Sequence, residues 1–536
     1  MLRPKKNLYT IMTAFAVVVF VVLTGCLGQG NQKPVATIKR DTTITTKNAF
    51  TSLTLDSAQV AKFINSEVKN DSLGKKIINF YYGRNFQFAW FNEEGFSEQG
   101  AAFWNLYENQ SDLAGDTSFT GIQLHQQMQK LLGDAENFIT SAEISFMELR
   151  LTSHFLRYLQ SLLNTSLNPE DMQWFIPSRK IDETAMLDSF IDHGNKSWTP
   201  LNSNYYRMEL YLEKYAQIAT RGGWQAINLV VKELKPGQQN PAITAIKKRL
   251  TTIGVYNDSD TSDLYTVELS IVAKQQQEDF GFDTTGKITD GLVQQWNVPV
   301  EERIKQIKIN LERMRWMPET PDNWLLANIP EFKLHVFEQN KEVLNMNIVV
   351  GTNINRTVIF SNMLSSIVFS PYWHVPFSII RKEIMPSMRR SSDYLAQNNM
   401  EITGYANQIP IVRQKPGKNN SLGKVKFLFP NQYNIYFHDT PAKALFNRRQ
   451  RAFSHGCIRL GQPADLANYL LRNDTTWSMP RIKEAMNAAT EKEVALKKPV
   501  PVFIVYFTSW VDESGHLNFR KDIYDHDKKM EAHLFN

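Results

Sequence analysis

A single cysteine near the C-terminus lies among residues that suit acyl-transfer chemistry. Cys457 follows Ser454, His455 and Gly456, and Arg459 comes two residues later. A thiol reacts as its thiolate, so it needs a base or a cation close by. Gly456 removes side-chain bulk, so that a substrate carbonyl can approach the backbone N–H groups of the turn. Arg459 can hold a substrate carboxylate through its planar guanidinium.

Two histidines are candidates for the base. His455 is two residues before Cys457, whereas His438 ends the apolar segment NIYFH, 19 residues upstream. Because adjacent side chains on a tight turn usually diverge, His438 is the better partner for the thiol. The histidines show no metal-ligand spacing such as HExxH, so no metal and no other cofactor is expected.

The only other cysteine, Cys26, ends an apolar leader. Residues 1–25 combine a positively charged start with an apolar run from about Ile11 to Leu23, which is the layout of a secretory signal. The run of about 15 residues is shorter than the roughly 20 that a membrane-spanning helix needs. LTGC, ending at Cys26, resembles a bacterial lipobox, in which the cysteine becomes the lipidated first residue of the mature chain.

This leader predicts export. We expect the chain to lie in the periplasm, anchored to a membrane by lipid on Cys26. The outer membrane is favoured, because Leu27 lacks the acidic charge associated in some bacteria with inner-membrane retention. Exported cysteines are normally paired in disulfides, yet with Cys26 acylated Cys457 has no partner in the chain. Such a thiol is either an inert buried residue or a catalytic one, and its neighbours favour catalysis.

Composition and patterning divide the chain into several domains. With 536 residues and a formal net charge of only +6, a multidomain protein is expected and nucleic acid is not an expected partner. Residues 26–55 form a polar, flexible tether after the lipidated cysteine. Residues 56–225 follow a mostly helical pattern, such as the apolar stripe between Phe146 and Leu163. We therefore expect a helical scaffold domain there.

The rest of the chain predicts a small bundle followed by a strand-rich domain. Residues 226–300 indicate three short helices, and 301–320 a connecting helix. From 321 to 536 the apolar period changes to two, which indicates strands. A polar insertion at about 381–412 is long enough to be a lid. The predicted fold class is α+β. The apolar stripes of the three short helices are Ile243, Ile246 and Leu250; Leu264, Val267 and Ile271; and Leu292, Val293 and Trp296.

The segment IYFHDTPAKALFNRRQRAFSHGCIRL resembles the active-site segment of the L,D-transpeptidase family, whose catalytic domain has the YkuD fold. The likeness extends to VVGTNINRTVIFSNMLSSIVFSPYWHVPFSI and RQKPGKNNSLGKVKFLFPN. The resemblance implies a β-rich catalytic domain with Cys457 as nucleophile and His438 as general base. The turn from Ser454 to Cys457, with His455 and Gly456, would be the oxyanion-hole scaffold. Arg459, Tyr372 and Trp373 would then contact substrate.

The three-helix segment 226–300 resembles a small peptidoglycan-binding domain. An aromatic residue usual after the glutamine of the second helix is absent from Gln275–Gln277. Wall binding and a purely structural spacer therefore both stay open for this segment.

The reaction implied by the resemblance is formation of 3-3 cross-links in peptidoglycan. Cys457 would form an acyl-enzyme on a tetrapeptide stem and release D-alanine, and a second stem would then accept the acyl group. Water as acceptor would give an L,D-carboxypeptidase, and a protein amine would give wall-protein attachment. A non-catalytic lipoprotein that anchors the wall through 226–300 is the alternative from another class. The diamino acid at stem position three and the oligomeric state stay open.

We predict that Cys26 carries lipid and that residues 1–25 are absent from the mature protein, because the lipobox precedes a polar tether. Mass spectrometry of the native protein checks this by locating the first residue and its modification. An intact Met1 or an unmodified Cys26 would contradict it.

Overall fold

The computed structural model describes residues 51–68, 70–109, 119–133, 140–178, 182–193, 201, 203–257 and 259–535. Cys26, its leader and most of the tether lie outside these residues. The described residues form two compact units. The first contains the described residues of 51–162 and 182–193, and the second contains those of 163–178 and 201–535. None of the described helices is long and apolar enough to cross a membrane.

The first unit is helical, as the periodicity predicted. Its longest helix is buried on most sides, and the carboxylate of Glu148 within it accepts hydrogen bonds from the backbone N–H groups of Ala89 and Trp90 and from the Tyr81 hydroxyl. Burial raises the pKa of Glu148 to about 7. The elements are α1 (Ser57–Glu67), α2 (Asp71–Gly83), β1 (Phe91–Asn92), β2 (Gly95–Phe96), α3 (Glu98–Asn109), α4 (Phe119–Leu132), α5 (Ser141–Leu163) and α6 (Glu183–His193).

The second unit begins with a short strand and contains the small bundle. Two of the three predicted apolar stripes, those starting at Ile243 and Leu292, are buried in one core. The elements are β3 (Trp174–Phe175), α7 (Ser203–Thr220), β4 (Glu233–Leu234), α8 (Pro241–Thr252), α9 (Val267–Asp279), β5 (Ile288–Thr289), α10 (Asp290–Trp296) and α11 (Val300–Trp316). The domain boundaries expected from the sequence stay predictions, although 163–178 and α7 cluster with this second unit.

The predicted stripe of the middle helix, α9, is wrong. Val267 and Ile271 are 66% and 64% exposed. The opposite face is buried instead. It includes two glutamines, which can be buried because their polar groups are hydrogen-bonded. Gln276 accepts from the Trp296 indole at 3.2 Å, and Gln277 accepts from a backbone N–H and donates to a carbonyl. Burying a polar side chain costs the fold little stability when that side chain is hydrogen-bonded. A search for apolar periodicity cannot detect such buried residues.

The strand-rich domain expected beyond residue 320 is confirmed. Its strands are β6 (Asn323–Asn328), β7 (Lys333–Glu338), β8 (Lys341–Gly351), β9 (Ile359–Phe369), β10 (Trp373–His374), β11 (Met400–Ala406), β12 (Ile409–Gln414), β13 (Val425–Leu428), β14 (Phe437–His438), β15 (Ala452–Ser454), β16 (Ile458–Leu460), β17 (Lys492–Val505), β18 (Ser509–Val511) and β19 (Leu517–Phe519). Its helices are α12 (Phe377–Ile379), α13 (Met385–Arg390), α14 (Tyr394–Gln397), α15 (Pro463–Leu470), α16 (Met479–Ala485) and α17 (His526–Leu534).

The main sheet closes on itself. Its strand order is β13-β14-β16-β8-β7-β6-β17-β9, and β13 also pairs with β9, so the ring is complete. Two further strands attach to it: β15 pairs with β8, and β3 pairs in parallel with the start of β9. Alternate residues such as Leu334, Ile348 and Phe427 are fully buried, as expected for strands that enclose an apolar interior.

The insertion is a small folded subdomain on this ring. Strands β10, β12 and β11 form a separate sheet, and an apolar cluster centred on Ile380, Ile384 and Val412 packs beneath it. A π-helical turn at Ile380–Ile384 separates α12 from α13, so the apolar residues follow neither a period of two nor 3.6. The sequence therefore indicated a polar insertion long enough to be a lid, but not its folded core. The Val375 N–H donates to the Val412 carbonyl at 3.0 Å, which brings the two ends together.

Candidate active site

Cys457 lies on a tight turn between β15 and β16, and both strands pair with β8. The Ser454 hydroxyl donates to the Cys457 carbonyl at 2.5 Å and accepts from the Gly456 N–H at 3.2 Å. From the other side, the Thr357 hydroxyl donates to the Gly456 carbonyl at 2.8 Å and accepts from the Gly351 N–H at 2.9 Å. The turn that carries the thiol is therefore fixed by hydrogen bonds on two sides.

Gly456 is required by the backbone conformation of this turn. Its φ is +113°, a value that residues with a Cβ rarely adopt. A Cβ at this position would meet the Arg356 carbonyl oxygen only at 3.6 Å, which is an ordinary contact. From the sequence we expected glycine here because it removes side-chain bulk. In the structure, the positive φ is the stronger reason for glycine at this position.

The pairing of β14 with β16 brings four polar side chains together. The two strands are parallel, with His438 opposite Arg459. Paired residues project to the same side of a sheet, and the side alternates along each strand. Tyr436 and Cys457 immediately precede these strands and lie beside this pair, because Tyr436 is a hydrogen-bond partner of the thiol, its ring contacts that of His438, and the charge of Arg459 acts on the thiol. The intervening residue of each strand is fully buried on the other face.

His438 is buried and has a defined tautomer. Its Nδ1 lies 2.5 Å from the Asp439 carbonyl oxygen, and since a carbonyl only accepts, Nδ1 carries the proton and Nε2 the lone pair of the neutral ring. The backbone of Leu422 is a further hydrogen-bond partner of the ring. Burial, with the positive charge of Arg459, lowers the pKa of His438 to about 4. The imidazole is therefore neutral near pH 7. Asp439 is held in turn by the Lys424 N–H at 2.9 Å and the Lys443 ammonium at 2.5 Å.

The Cys457 thiol is free and half-buried. Burial raises its pKa, while hydrogen bonds from the backbone and hydroxyl of Tyr436 and the charge of Arg459 act in the opposite direction. The sulfur also lies 3.5 Å from the Asn434 carbonyl oxygen. Because the effect of burial is the largest, the resting thiol is protonated near pH 7, and it needs a base to become a nucleophile.

Sequence reasoning missed Tyr436 and Thr357. Tyr436 stands two residues before His438, so the alternation of a strand that ends at His438 would have found it. Its ring centroid lies 5.8 Å from that of His438. Thr357 contacts Gly456 across 99 residues of sequence, and no local pattern predicts such a contact.

His455 and the substrate-side candidates lie toward the insertion. His455 is exposed, and its Nε2 lies 3.4 Å from a carboxylate oxygen of Glu383 in the π-helical turn. Tyr372 stacks on Arg413 at 4.4 Å, and Trp373 packs against the core of the insertion. Both aromatic residues are thus at the base of the insertion, and their role in substrate binding stays a prediction.

Arg459 has unused hydrogen-bonding capacity. Its Nε is buried and has no hydrogen-bond partner among the residues that the structure describes. Burial lowers the pKa of this guanidinium, and a carboxylate would offset that cost. In the described ranges, no three His, Cys, Asp or Glu side chains come together as a metal site requires.

Two family models match the chain. Residues 322–500 match the L,D-transpeptidase catalytic domain of the YkuD family, and residues 75–212 match a scaffold domain. The strand-rich domain described above therefore contains a region similar to the L,D-transpeptidase catalytic domain, and the resemblance seen in the sequence is confirmed.

One curated protein and two solved structures are examples of proteins that are similar to this chain. A Haemophilus influenzae protein named Putative L,D-transpeptidase is 31% identical over 242 residues, which cover 42% of this chain and 49% of that protein. The chain thus matches about half the length of this curated relative. Among solved structures, an L,D-transpeptidase from Stackebrandtia nassauensis is 11% identical, with a TM-score of 0.22 and coverage of 52% of this chain and 97% of that one. One from Mycobacterium smegmatis is 13% identical, with a TM-score of 0.20 and coverage of 34% and 58%.

We predict that Tyr436→Phe raises the pKa of the Cys457 thiol, because it removes a hydroxyl that stabilises the thiolate. A hydrogen bond to a charged group contributes about 1.5 kcal/mol or more, so alkylation at pH 8 should slow roughly tenfold. The measurement is the pH dependence of iodoacetamide labelling of the mature chain with Cys26 replaced by Ser, which leaves one thiol. Tyr433→Phe is the matched control and should keep the wild-type profile. An unchanged profile in Tyr436→Phe would contradict the assignment.

Proposed function

We propose that this chain is a cysteine-dependent L,D-transpeptidase that forms 3-3 cross-links between peptidoglycan stems. One observation carries the proposal. The free thiol of Cys457 lies beside Tyr436, His438 and Arg459, where β14 pairs with β16, inside the region that matches the catalytic domain of this family. The donor is a tetrapeptide stem and the acceptor is the side-chain amine of a second stem.

In the first half-reaction, His438 Nε2 takes the proton of the Cys457 thiol. The thiolate attacks the carbonyl carbon of the L-centre of the diamino acid at stem position three. The C–N bond to the terminal D-alanine breaks, and the imidazolium of His438 returns the proton to the leaving amine. A neutral His438 and a protonated thiol are the starting protonation states that this step requires.

The oxyanion of the tetrahedral intermediate needs donors close to the sulfur. The Gly456 N–H already donates to Ser454, so we assign this role to the Cys457 N–H and the Tyr436 hydroxyl. The hydroxyl that bonds to the sulfur in the resting site would turn to the adjacent oxyanion as the thiolate attacks the carbonyl. Ser454 and Thr357 then act by holding the turn.

In the second half-reaction, the acceptor amine attacks the thioester carbonyl. A C–N bond forms and the C–S bond breaks, while His438 accepts a proton from the amine and the thiol is restored. Water in place of the amine would make the chain a carboxypeptidase.

Arg459 is suited to the carboxylate of the donor stem. The terminal D-alanine carries a carboxylate close to the bond that is cleaved, and Arg459 lies two residues from the nucleophile. A carboxylate would give the guanidinium a partner of opposite charge. We propose that this contact orients the donor.

The insertion is the proposed lid, for which the contact between Glu383 and His455 is the support. It is the point at which the insertion meets the turn that carries Cys457. Closing a lid over an acyl-enzyme excludes water and thereby favours the amine acceptor over hydrolysis.

We also propose that the chain works in the periplasm, attached to a membrane by lipid on Cys26. The leader and lipobox support this. Peptidoglycan lies in the same compartment, so anchor and proposed substrate agree.

The decisive experiment incubates the mature chain with purified disaccharide-tetrapeptide and follows D-alanine release and cross-linked dimer by mass spectrometry. Cys457→Ser should abolish both products. His438→Ala should reduce both by about 10² to 10⁴, the usual worth of general acid-base catalysis. His516→Ala changes a half-buried histidine between β18 and β19, away from the candidate site residues, and is the control that should match wild type. Dimer formation that survives Cys457→Ser would refute the proposal, and tripeptide without dimer would identify a carboxypeptidase.

We predict that removal of the lid lowers turnover without unfolding the domain. Residues 376–411 can be deleted and bridged by a short Gly-Ser turn, because Val375 and Val412 are already hydrogen-bonded neighbours. Turnover should fall roughly 10²-fold, since loss of substrate positioning costs about that much. Circular dichroism checks the fold, and Cys457 alkylation checks the turn. Glu383→Gln is the milder variant, which keeps the subdomain and removes the charge that faces His455. Unchanged turnover after the deletion would make the insertion a surface element only.

A further inference from the structure

A cavity of about 630 Å³ lies beside the active-site strand β14. One wall is the segment 168–178, which includes β3, and the other wall is Gln432 and Tyr433 in the loop that leads into β14. The mechanism proposed above uses none of these residues.

The first wall is held in place by the catalytic domain. Trp174 and Phe175 pair with Ile359 and Phe360 at the start of β9. The segment leading to them is fixed where the Ser166 N–H donates to the Glu312 carboxylate at 2.7 Å. Because backbone pairing and a hydrogen bond to a buried side chain both restrain this segment, the cavity is largely formed before any ligand binds.

The second wall leads directly to the nucleophile. The Tyr433 ring packs on Phe360 with centroids 5.1 Å apart. The next residue, Asn434, accepts from the Cys457 sulfur through its carbonyl oxygen at 3.5 Å. A ligand in the cavity is therefore close along the surface to a stem that is bound at the thiol.

The lining combines aromatic faces with uncharged polar groups. Phe175 is 40% exposed, and its ring lies 5.8 Å from that of Tyr433 at an angle of 35°. Asn168 and Gln432 supply exposed amides, and Glu170 supplies the only charged group of the lining. Among the described residues that line the cavity there is no lysine, arginine or histidine. Lys529 lies outside the lining, where its ammonium donates to the Asp171 carbonyl.

The chemistry of the lining favours the glycan of peptidoglycan over its stem peptides. Stem peptides carry carboxylates, which the carboxylate of Glu170 in the lining repels. The glycan is neutral where stems are attached, and its hydroxyls can donate to Glu170. Its acetamido groups match the amides of Asn168 and Gln432. The C–H faces of a pyranose ring suit the negative faces of aromatic rings such as Phe175.

We propose that the cavity between segment 168–178 and Tyr433 binds acetamido-sugar units of the glycan next to the stem at Cys457. The inference rests on the proposed function for the identity of the polymer. It gives residues at the border of the helical region a binding role, since they recognise the strand from which the stem projects.

The test measures binding of N,N′,N″-triacetylchitotriose, a neutral sugar without a stem, to the mature chain by titration NMR. Cys457→Ala serves as the parent, so no acyl transfer is possible. The parent should bind, Phe175→Ala should weaken binding roughly five- to tenfold, and Glu170→Gln should weaken it roughly threefold or more. Phe535→Ala removes an equally exposed phenylalanine near the C-terminus and should bind as the parent does.

The controls keep the proposal falsifiable. Glu170 is exposed, so Glu170→Gln leaves packing intact even if Phe175→Ala lowers the melting temperature. The bundle at 226–300 is another candidate sugar binder, and only binding that the cavity variants weaken counts in favour. Absence of binding by the parent, or binding that neither cavity variant changes, overturns the proposal. Weakened binding of a sugar-free tetrapeptide would overturn it too, by identifying a peptide site. Because the assay needs no turnover, variant-sensitive binding in a chain that makes no cross-links would refute the proposed function alone.

Discussion

The pairing of β14 with β16 is the constraint on which the site depends. With His438 opposite Arg459 in a parallel register, the proposed base and the cation share one face, and Tyr436 and the proposed nucleophile Cys457 lie directly beside them. A shift of one residue would move the side chains of one strand into the barrel interior. The buried residues that alternate with them oppose such a shift, because moving them outward would expose apolar surface. Barrel packing therefore sets the geometry of the chemistry.

The protonation states follow from the same burial. It lowers the pKa of His438 and raises that of Cys457, so the resting site holds a neutral imidazole and a neutral thiol rather than an ion pair. Tyr436 and Arg459 favour the thiolate, which reduces the cost of proton transfer when a substrate arrives. A neutral thiol also resists oxidation, since oxidation proceeds through the thiolate. A resting state of this kind therefore protects the free thiol of Cys457.

Much of the architecture could be predicted from the sequence, and the failures have physical causes. Period-two patterns predicted the strand-rich domain, and the motif around Cys457 indicated His438, 19 residues upstream, as the candidate base. The exposed face of α9 was predicted wrongly because hydrogen-bonded glutamines occupy its buried face. The insertion could be predicted as a polar segment long enough to be a lid, but its folded core could not, because a π-helical turn disrupts its apolar period. Glu383 could not be linked to the site, since its contact with His455 arises only in the folded chain.

The most direct test of the central claim is to trap the acyl-enzyme. The mature chain is mixed with disaccharide-tetrapeptide, quenched in acid within the first turnover and digested, and the peptide that contains Cys457 is weighed. We expect an added disaccharide-tripeptide acyl group on Cys457, with one D-alanine released for each chain acylated. The adduct should disappear when an acceptor amine is supplied. Release of D-alanine with no adduct on Cys457, or with an adduct on another residue, would contradict it.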